Sequence, residues 1–247
     1  MRRTQCSINF LLLLALLLCS SLSRPGEPND GNLPGPGREV PFVFEGDQLV
    51  LFVPQDYNDI NLAPVIFYYP GQGGTPSTRF FQAVTESKGF IIVGMSYTYE
   101  PKAPANQGRY INYLRSETMR MGKIKKHLKK DLGLRIDDGK LFIAGISKGG
   151  WFTSEVIQLR PQPWAGAVII AAGRTRGTQY PGVRHLRDKP IYIGAGETDV
   201  NRPSAEKART FYQRAGAVVT FEIYEGLGHD AKPDSVVLRD WLKNLTK

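Results

Sequence analysis

With 247 residues, 41% of them hydrophobic and 11% aromatic, the chain has material for one well-buried domain. Its two cysteines, Cys6 and Cys19, both stand in the first 23 residues, which excludes a disulfide framework from everything that follows. The formal charge of +9 is spread without a dense block, so it reads as ordinary solubility, and nothing points to sequence-specific nucleic-acid recognition.

The chain opens with Arg2 and Arg3, an apolar run over residues 8–18, and small residues ending at Ser21 and Ser23. That order predicts a signal peptide over residues 1–23 and a secreted or periplasmic product, with no stable membrane insertion after cleavage. A spanning anchor is the alternative, but the run is shorter than the ~20 residues such a helix needs. Cleavage leaves 30 basic and 23 acidic residues, a charge of +7. Residues 24–37, RPGEPNDGNLPGPG, offer little to bury and are expected to form a flexible linker. Residues 38–247 are expected to form one domain.

Within it, runs of strand length alternate with helical patterns. Residues 40–44 and 48–53 flank Glu45-Gly46-Asp47 and predict an opening hairpin. Further strands are predicted at 64–69, 90–96, 140–146, 165–171, 190–195 and 218–224, several of them continuous aliphatic runs of the kind buried on both faces. Between them, Phe80, Phe81 and Val84 suit a helix, and Ile111, Leu114, Thr118, Met121, Ile124 and Leu128 recur at helical spacing. Trp151, Phe152, Val156 and Leu159 suit a third helix, Ala205, Ala208, Phe211 and Tyr212 a fourth, and Val237, Leu238, Trp241, Leu242 and Leu245 a last one. Strand–helix alternation implies an α/β domain with roughly eight mostly parallel strands and helices on both faces. A dinucleotide-binding fold competes with this reading, but no G-x-G-x-x-G follows the first strands.

The sharpest motif is Gly145-Ile146-Ser147-Lys148-Gly149. Alone a G-x-S-x-G is a weak signal. Here a predicted strand runs directly into it and a predicted helix leaves it, the context in which glycines let a serine sit on a tight strand-to-helix turn. A serine hydroxyl needs a base. His127 lies in the basic helix and reads as a solvated surface residue, and His185 lies in an arginine-rich loop. His229, in Gly226-Leu227-Gly228-His229-Asp230 after the eighth strand, is the candidate. Asp199 follows the seventh strand, where carboxylates face the ligand crevice of parallel sheets, and is the candidate acid. Glu197 is the near alternative, Glu225 and Asp230 more distant ones, and a helix-capping role for Asp199 is the bland reading. The order Ser147, Asp199, His229 is the nucleophile–acid–base order of one class of hydrolases. Two oxyanion donors are expected: the backbone N–H of Lys148 and one from Pro70-Gly71-Gln72-Gly73-Gly74, with Gln72 preferred and Gly73 the alternative.

With these four places in hand, the PGQGG loop, the GISKGG elbow, the GETD turn and the YEGLGH turn, the chain resembles the α/β-hydrolase superfamily over about residues 41–245. It looks most like small secreted esterases similar to polyhydroxybutyrate depolymerases and feruloyl esterases, and like dienelactone-hydrolase-type and carboxylesterase-type relatives. The resemblance implies oxyanion hole, nucleophile, acid and base at those four places. The chain departs from it in having Tyr69-Pro70-Gly71 where His-Gly is common. The segment 173–189, where the superfamily inserts lids, is short and without helical pattern, so little or no cap is expected.

The reading is therefore a serine esterase acting on small-molecule or polymeric esters, with Tyr97, Tyr99, Tyr110 and Trp151 either lining its pocket or serving as core and rim aromatics. A peptidase of the prolyl-oligopeptidase type is the rival enzyme. A binding module is the non-enzyme rival, resting on the basic helix residues Arg115, Arg120, Lys123, Lys125, Lys126, Lys129 and Lys130. No cofactor and no metal are expected, since the three histidines lack ligand spacing.

Overall fold

The computed structural model describes residues 34–98, 107–174 and 180–247. The expected signal peptide, residues 24–33 of the expected linker, Tyr99, and positions 175–179 of the lid segment lie outside the described residues.

Eight strands form one sheet: β1 (Glu39–Phe44), β2 (Asp47–Phe52), β3 (Ala63–Tyr69), β4 (Ile91–Gly94), β5 (Ile136–Ile146), β6 (Gly166–Ile170), β7 (Pro190–Gly196) and β8 (Val218–Tyr224). Their order is β1-β2-β4-β3-β5-β6-β7-β8. β1 and β2 pair antiparallel, as do β2 and β4, and every pairing from β4 to β8 is parallel. The hairpin between β1 and β2 closes on two residues, Glu45 (φ 50°) and Gly46 (φ 89°). Positive φ at both central positions is what lets a two-residue turn follow the twist of its strands.

Side chains of the central strands alternate between two cores, as the two-residue period of a strand requires. Val65, Phe67 and Tyr69 of β3 point into one core, while Ile66 and Tyr68 point into the other. The first core is closed by α2 (Gln107–Lys130), α3 (Lys148–Leu159) and α4 (Arg202–Arg214), through Leu114, Ile124, Val156 and Ala208 among others. The second is closed by α1 (Arg79–Val84) and α5 (Val236–Asn244), through Phe81, Val84, Leu238 and Leu242. Each such fully buried Val, Leu, Ile or Phe side chain contributes about 1.5–3 kcal/mol relative to exposure.

From β3 the chain crosses to β4 on one side, then returns past β3 to β5 on the other. The loops leaving the C-terminal ends of β3 and β5 thus diverge, and a parallel sheet opens its ligand crevice at such a switch point.

Three local expectations change. Residues 34–37 are not free of the domain: Pro34 is buried, and the Gly37 N–H donates to the Val53 carbonyl at 2.9 Å. Arg120 is not on a solvated face; its side chain is 5% exposed, bonded to Asp47 at 2.9 Å, to the Ser96 carbonyl at 2.9 Å and to Glu117 at 3.4 Å. Glu117, wholly buried, also accepts from the Tyr69 hydroxyl at 2.8 Å and from Thr98, so one carboxylate ties α2 to β3 and to the loop after β4. Burial first, and the Glu117 carboxylate second, push the Tyr69 phenol well above its usual pKa. His127 is only part-exposed. It pairs with Asp131 at 2.6 Å and stacks on Phe42, because the β1–β2 hairpin folds back over α2.

Three of the other basic residues of α2 are paired with carboxylates. Lys123 reaches Glu45 at 2.7 Å, and Lys125 and Lys129 share Asp138 at 2.7 and 2.6 Å. The two lysines hold the Asp138 carboxyl below its usual range. Exposed pairs of this kind are common on a solvated face.

Candidate active site

The Gly145–Gly149 motif sits at the seam between β5 and α3. Ser147 adopts φ 53°, ψ −116°, a conformation that an L-residue rarely takes. Two contacts hold it there: the Ser147 N–H donates to the Ile170 carbonyl of β6 at 2.8 Å, and the Ser147 carbonyl accepts from the Trp151 N–H at 3.0 Å. The flanking glycines are there for space. A Cβ on Gly145 would lie 2.1 Å from the Gly149 carbonyl oxygen, and one on Gly149 would lie 2.2 Å from that of Tyr69.

The strain at Ser147 has a measurable consequence. Glycine at this position relieves ~1–3 kcal/mol of backbone strain against ~0.5–1 kcal/mol of added unfolded-state entropy. Ser147→Gly is therefore expected to be more stable than the parent by about 1 kcal/mol, seen as a higher urea midpoint. Ser147→Ala, which keeps the strain, is not. Equal midpoints for the two variants would remove the strain argument.

The acid and histidine turns are built against each other. The Thr198 N–H donates to the Leu227 carbonyl at 3.0 Å, and the Glu197 carboxylate accepts the Gly226 N–H at 2.9 Å. A Cβ on Gly196 would fall 1.9 Å from the Gly228 carbonyl oxygen, so only glycine lets the turns approach this closely. This packing carries the imidazole back over the sheet edge.

There His229 Nε2 lies 2.8 Å from the Ser147 Oγ, and His229 Nδ1 lies 2.8 Å from the Asp199 Oδ1. The Asp199 side chain is fully buried, whereas His229 is 40% exposed. A carboxylate at Nδ1 favours the tautomer with hydrogen on Nδ1, which leaves Nε2 as the acceptor facing the serine hydroxyl. Asp199 Oδ1 also accepts the Asn201 N–H at 2.8 Å, so its role in shaping the turn into α4 and its contact with the histidine coexist. Its Oδ2 is buried and, among the described residues, has no hydrogen-bond partner. Glu197, the near alternative, spends its carboxylate on Gly226, and Asp230 spends its own on the Ala231 N–H at 2.7 Å. Of the other histidines, His127 is held by Asp131 and His185 faces the Arg184 side chain at 3.0 Å.

The loop after β3 folds as a turn closed by the Gly74 N–H on the Gly71 carbonyl at 3.1 Å, with Gly73 at φ 73°, a position that favours glycine. A Cβ on Gly71 would be 3.6 Å from the Ser147 Cβ, which measures how near this loop runs to the elbow. The two expected oxyanion donors, Gln72 and Lys148, both line the same cleft as Ser147.

That cleft has a volume of about 510 Å³. Tyr97, Tyr110 and Trp151 line it while also packing on the core, so the two readings of these aromatics hold together. Sequence reasoning missed three further walls, Tyr113, Phe152 and Asn201. Tyr110 is held by the buried Glu155, and burial followed by that carboxylate raises the Tyr110 pKa far above the usual phenol range. The segment after β6 contains a short 3-10 turn, Pro181–His185, which the sequence reading left unstructured; five residues are too few to display a helical period. Among the described residues no group of three or more potential metal ligands is gathered, and no helix is long and apolar enough to cross a membrane.

No family model matches the chain. A probable carboxylesterase of rice (Oryza sativa subsp. japonica) is 28% identical over 123 residues, which are 48% of this chain and 46% of that protein. The match thus spans about half the length of the curated relative. Among solved structures, the carboxylesterase from Mesorhizobium loti superposes with a TM-score of 0.62 at 19% identity, covering 79% of this chain and 94% of that one. Arabidopsis thaliana SOBER1 gives 0.56 at 17% identity, covering 75% and 100%. The CE1 ferulic acid esterase of Anaeromyces mucronatus gives 0.55 at 13% identity, covering 83% and 87%. Strand order, the site's position at the switch point and these superpositions agree that the chain has the α/β-hydrolase fold.

Proposed function

We propose that the protein is a serine hydrolase that cleaves carboxylic esters, of small molecules or polymers, through an acyl-enzyme. The observation that carries this reading is the unbroken chain from Ser147 Oγ through both nitrogens of His229 to buried Asp199, with 2.8 Å at each link. In the first half-reaction His229 Nε2 takes the hydroxyl proton as Oγ attacks the ester carbonyl carbon. The negative charge that develops on the carbonyl oxygen is received by the N–H of Lys148 and by that of Gln72, with Gly73 the alternative donor. Collapse breaks the bond to the alcohol oxygen, which takes the proton from Nε2. In the second half-reaction water attacks the acyl carbon, gives its proton to Nε2, and the acid leaves as Oγ regains a proton. Asp199 stabilises the imidazolium in both halves. The esterase names of the rice relative and of the superposable structures support this bond class.

A fluorophosphonate probe tests the nucleophile. Labelling is expected in the parent and lost in Ser147→Ala; unchanged labelling of the variant ends the assignment. A panel of p-nitrophenyl esters beside peptide anilides tests the bond. Esters are expected to be cleaved, and anilide cleavage without esterase activity would transfer the reading to a peptidase.

A further inference from the structure

Tyr97 has no step in the reaction proposed above, yet it touches the Pro70 carbonyl, where the loop of one expected oxyanion donor begins, and the side chain of Lys148, the residue that carries the other. It follows β4, is half-buried, and lines the cleft beside Ser147. Its ring packs against Tyr69 at 5.3 Å and edge-on against Phe152 at 5.9 Å, so it approaches the cleft in a fixed direction.

The hydroxyl of this ring donates to the Pro70 carbonyl at 2.7 Å. That carbonyl belongs to the peptide immediately before the Gly71–Gly74 turn. On the elbow side the same oxygen is crowded by Gly149, where a Cβ would come within 2.8 Å of it. The peptide between Pro70 and Gly71 is therefore set by Tyr97 on one side and by the nucleophile's own turn on the other. The face of the Tyr97 ring meanwhile seats the Lys148 ammonium, 4.4 Å from its centroid. Lys148 supplies the second expected donor through its backbone N–H. One side chain thus bridges the turn that carries one donor and the residue that carries the other.

Packing alone does not call for the hydroxyl, since phenylalanine would fill the same space. The turn that follows is closed by the Gly74 N–H on the Gly71 carbonyl, and Gln72, Gly73 and Gly74 are all exposed. We infer that Tyr97 is a positioning residue of the oxyanion hole, fixing the 71–74 turn relative to the elbow so that both N–H groups converge on one point. This inference rests on the serine-hydrolase reading. An oxyanion exists only in the transition state and the tetrahedral intermediates, so a misplaced donor lowers kcat and leaves KM nearly unchanged.

The test compares Tyr97→Phe, which removes the hydroxyl and keeps the ring under Lys148, with Tyr97→Leu, which removes both. Loss of a whole oxyanion donor costs about 10²–10³ in kcat, and loss of its alignment costs part of that. Tyr97→Phe is expected to lower kcat about 10-fold, with KM within about twofold, and Tyr97→Leu about 100-fold. Affinity for a trifluoromethyl ketone, which forms a tetrahedral adduct on the serine, should fall by the same factors, and amide exchange across 71–74 should quicken in both variants. Fluorophosphonate titration counts intact sites, so loss of folded enzyme is separated from loss of rate per site. A Tyr97→Phe enzyme whose kcat per labelled site and ketone affinity match the parent overturns this inference alone. A parent enzyme without Ser147-dependent ester hydrolysis overturns the serine-hydrolase reading and this inference with it.

Discussion

His229→Ala is expected to lower kcat for ester hydrolysis by roughly 10⁶-fold, about 8 kcal/mol of transition-state stabilisation. The side chain supplies the only imidazole in contact with the Ser147 hydroxyl, and the other two histidines are held by Asp131 and beside Arg184. Asp199→Asn is expected to cost less, about 10³–10⁴-fold. An asparagine must choose between two unfavourable settings. With its amide nitrogen toward His229 it forces hydrogen onto Nε2 and abolishes the acceptor that Ser147 needs. With its oxygen there, the nitrogen falls where Oδ2 now lies, a buried position that has no partner among the described residues, and the unmet donor costs ~1–3 kcal/mol. Either setting also removes the charge that stabilises the imidazolium. Because the residues act as one unit, the double variant should be no slower than His229→Ala alone. Single-turnover rates on a p-nitrophenyl ester, per folded molecule, measure all three. A His229→Ala enzyme within tenfold of the parent would mean that another group is the base.

How much of this was legible before the fold depends on the kind of signal. The eight strands could be read because they are short apolar runs, several of them continuous, separated by turns and helical patterns. The lower part of β5 could not: Asp137, Asp138 and Gly139 carry turn chemistry, yet the strand begins at Ile136, which pairs with Ala63 across a register shift. Pairing in space overrode local propensity there, as it did at Gly37, whose N–H finds Val53. Ser147, Asp199 and His229 could be located because each sits in a short turn directly after a strand, and parallel strands deliver such turns to one edge. Tyr113 and Phe152 could not be singled out, because they are 7% and 3% exposed and obey the helical period of core residues. Nothing in a sequence separates a core ring from the same ring seen through a cleft. Asn201 was equally hidden; its amide bonds to the Ala171 carbonyl at 3.0 Å, a partner 30 residues away. The buried state of Arg120 did leave a trace, since Glu117 precedes it at i,i+3 spacing.

Gly149→Ala is expected to destabilise the domain by more than about 4 kcal/mol, the range reserved for substitutions with a named steric cause. The new methyl would meet the Tyr69 carbonyl oxygen at 2.2 Å and that of Pro70 at 2.8 Å. These are main-chain atoms at the end of a central strand, and no side chain can swing aside to relieve them. With typical domains stable by about 5–15 kcal/mol, a cost of that size leaves little folded protein. Gly122→Ala serves as the opposite case. Gly122 lies within α2, and a Cβ there meets nothing within 4 Å, so alanine should add about 0.5–1 kcal/mol by restricting the unfolded chain. Urea midpoints should therefore move in opposite directions for the same chemical change. If Gly149→Ala unfolded at the parent's midpoint, the strand end and the elbow would not be in the contact described.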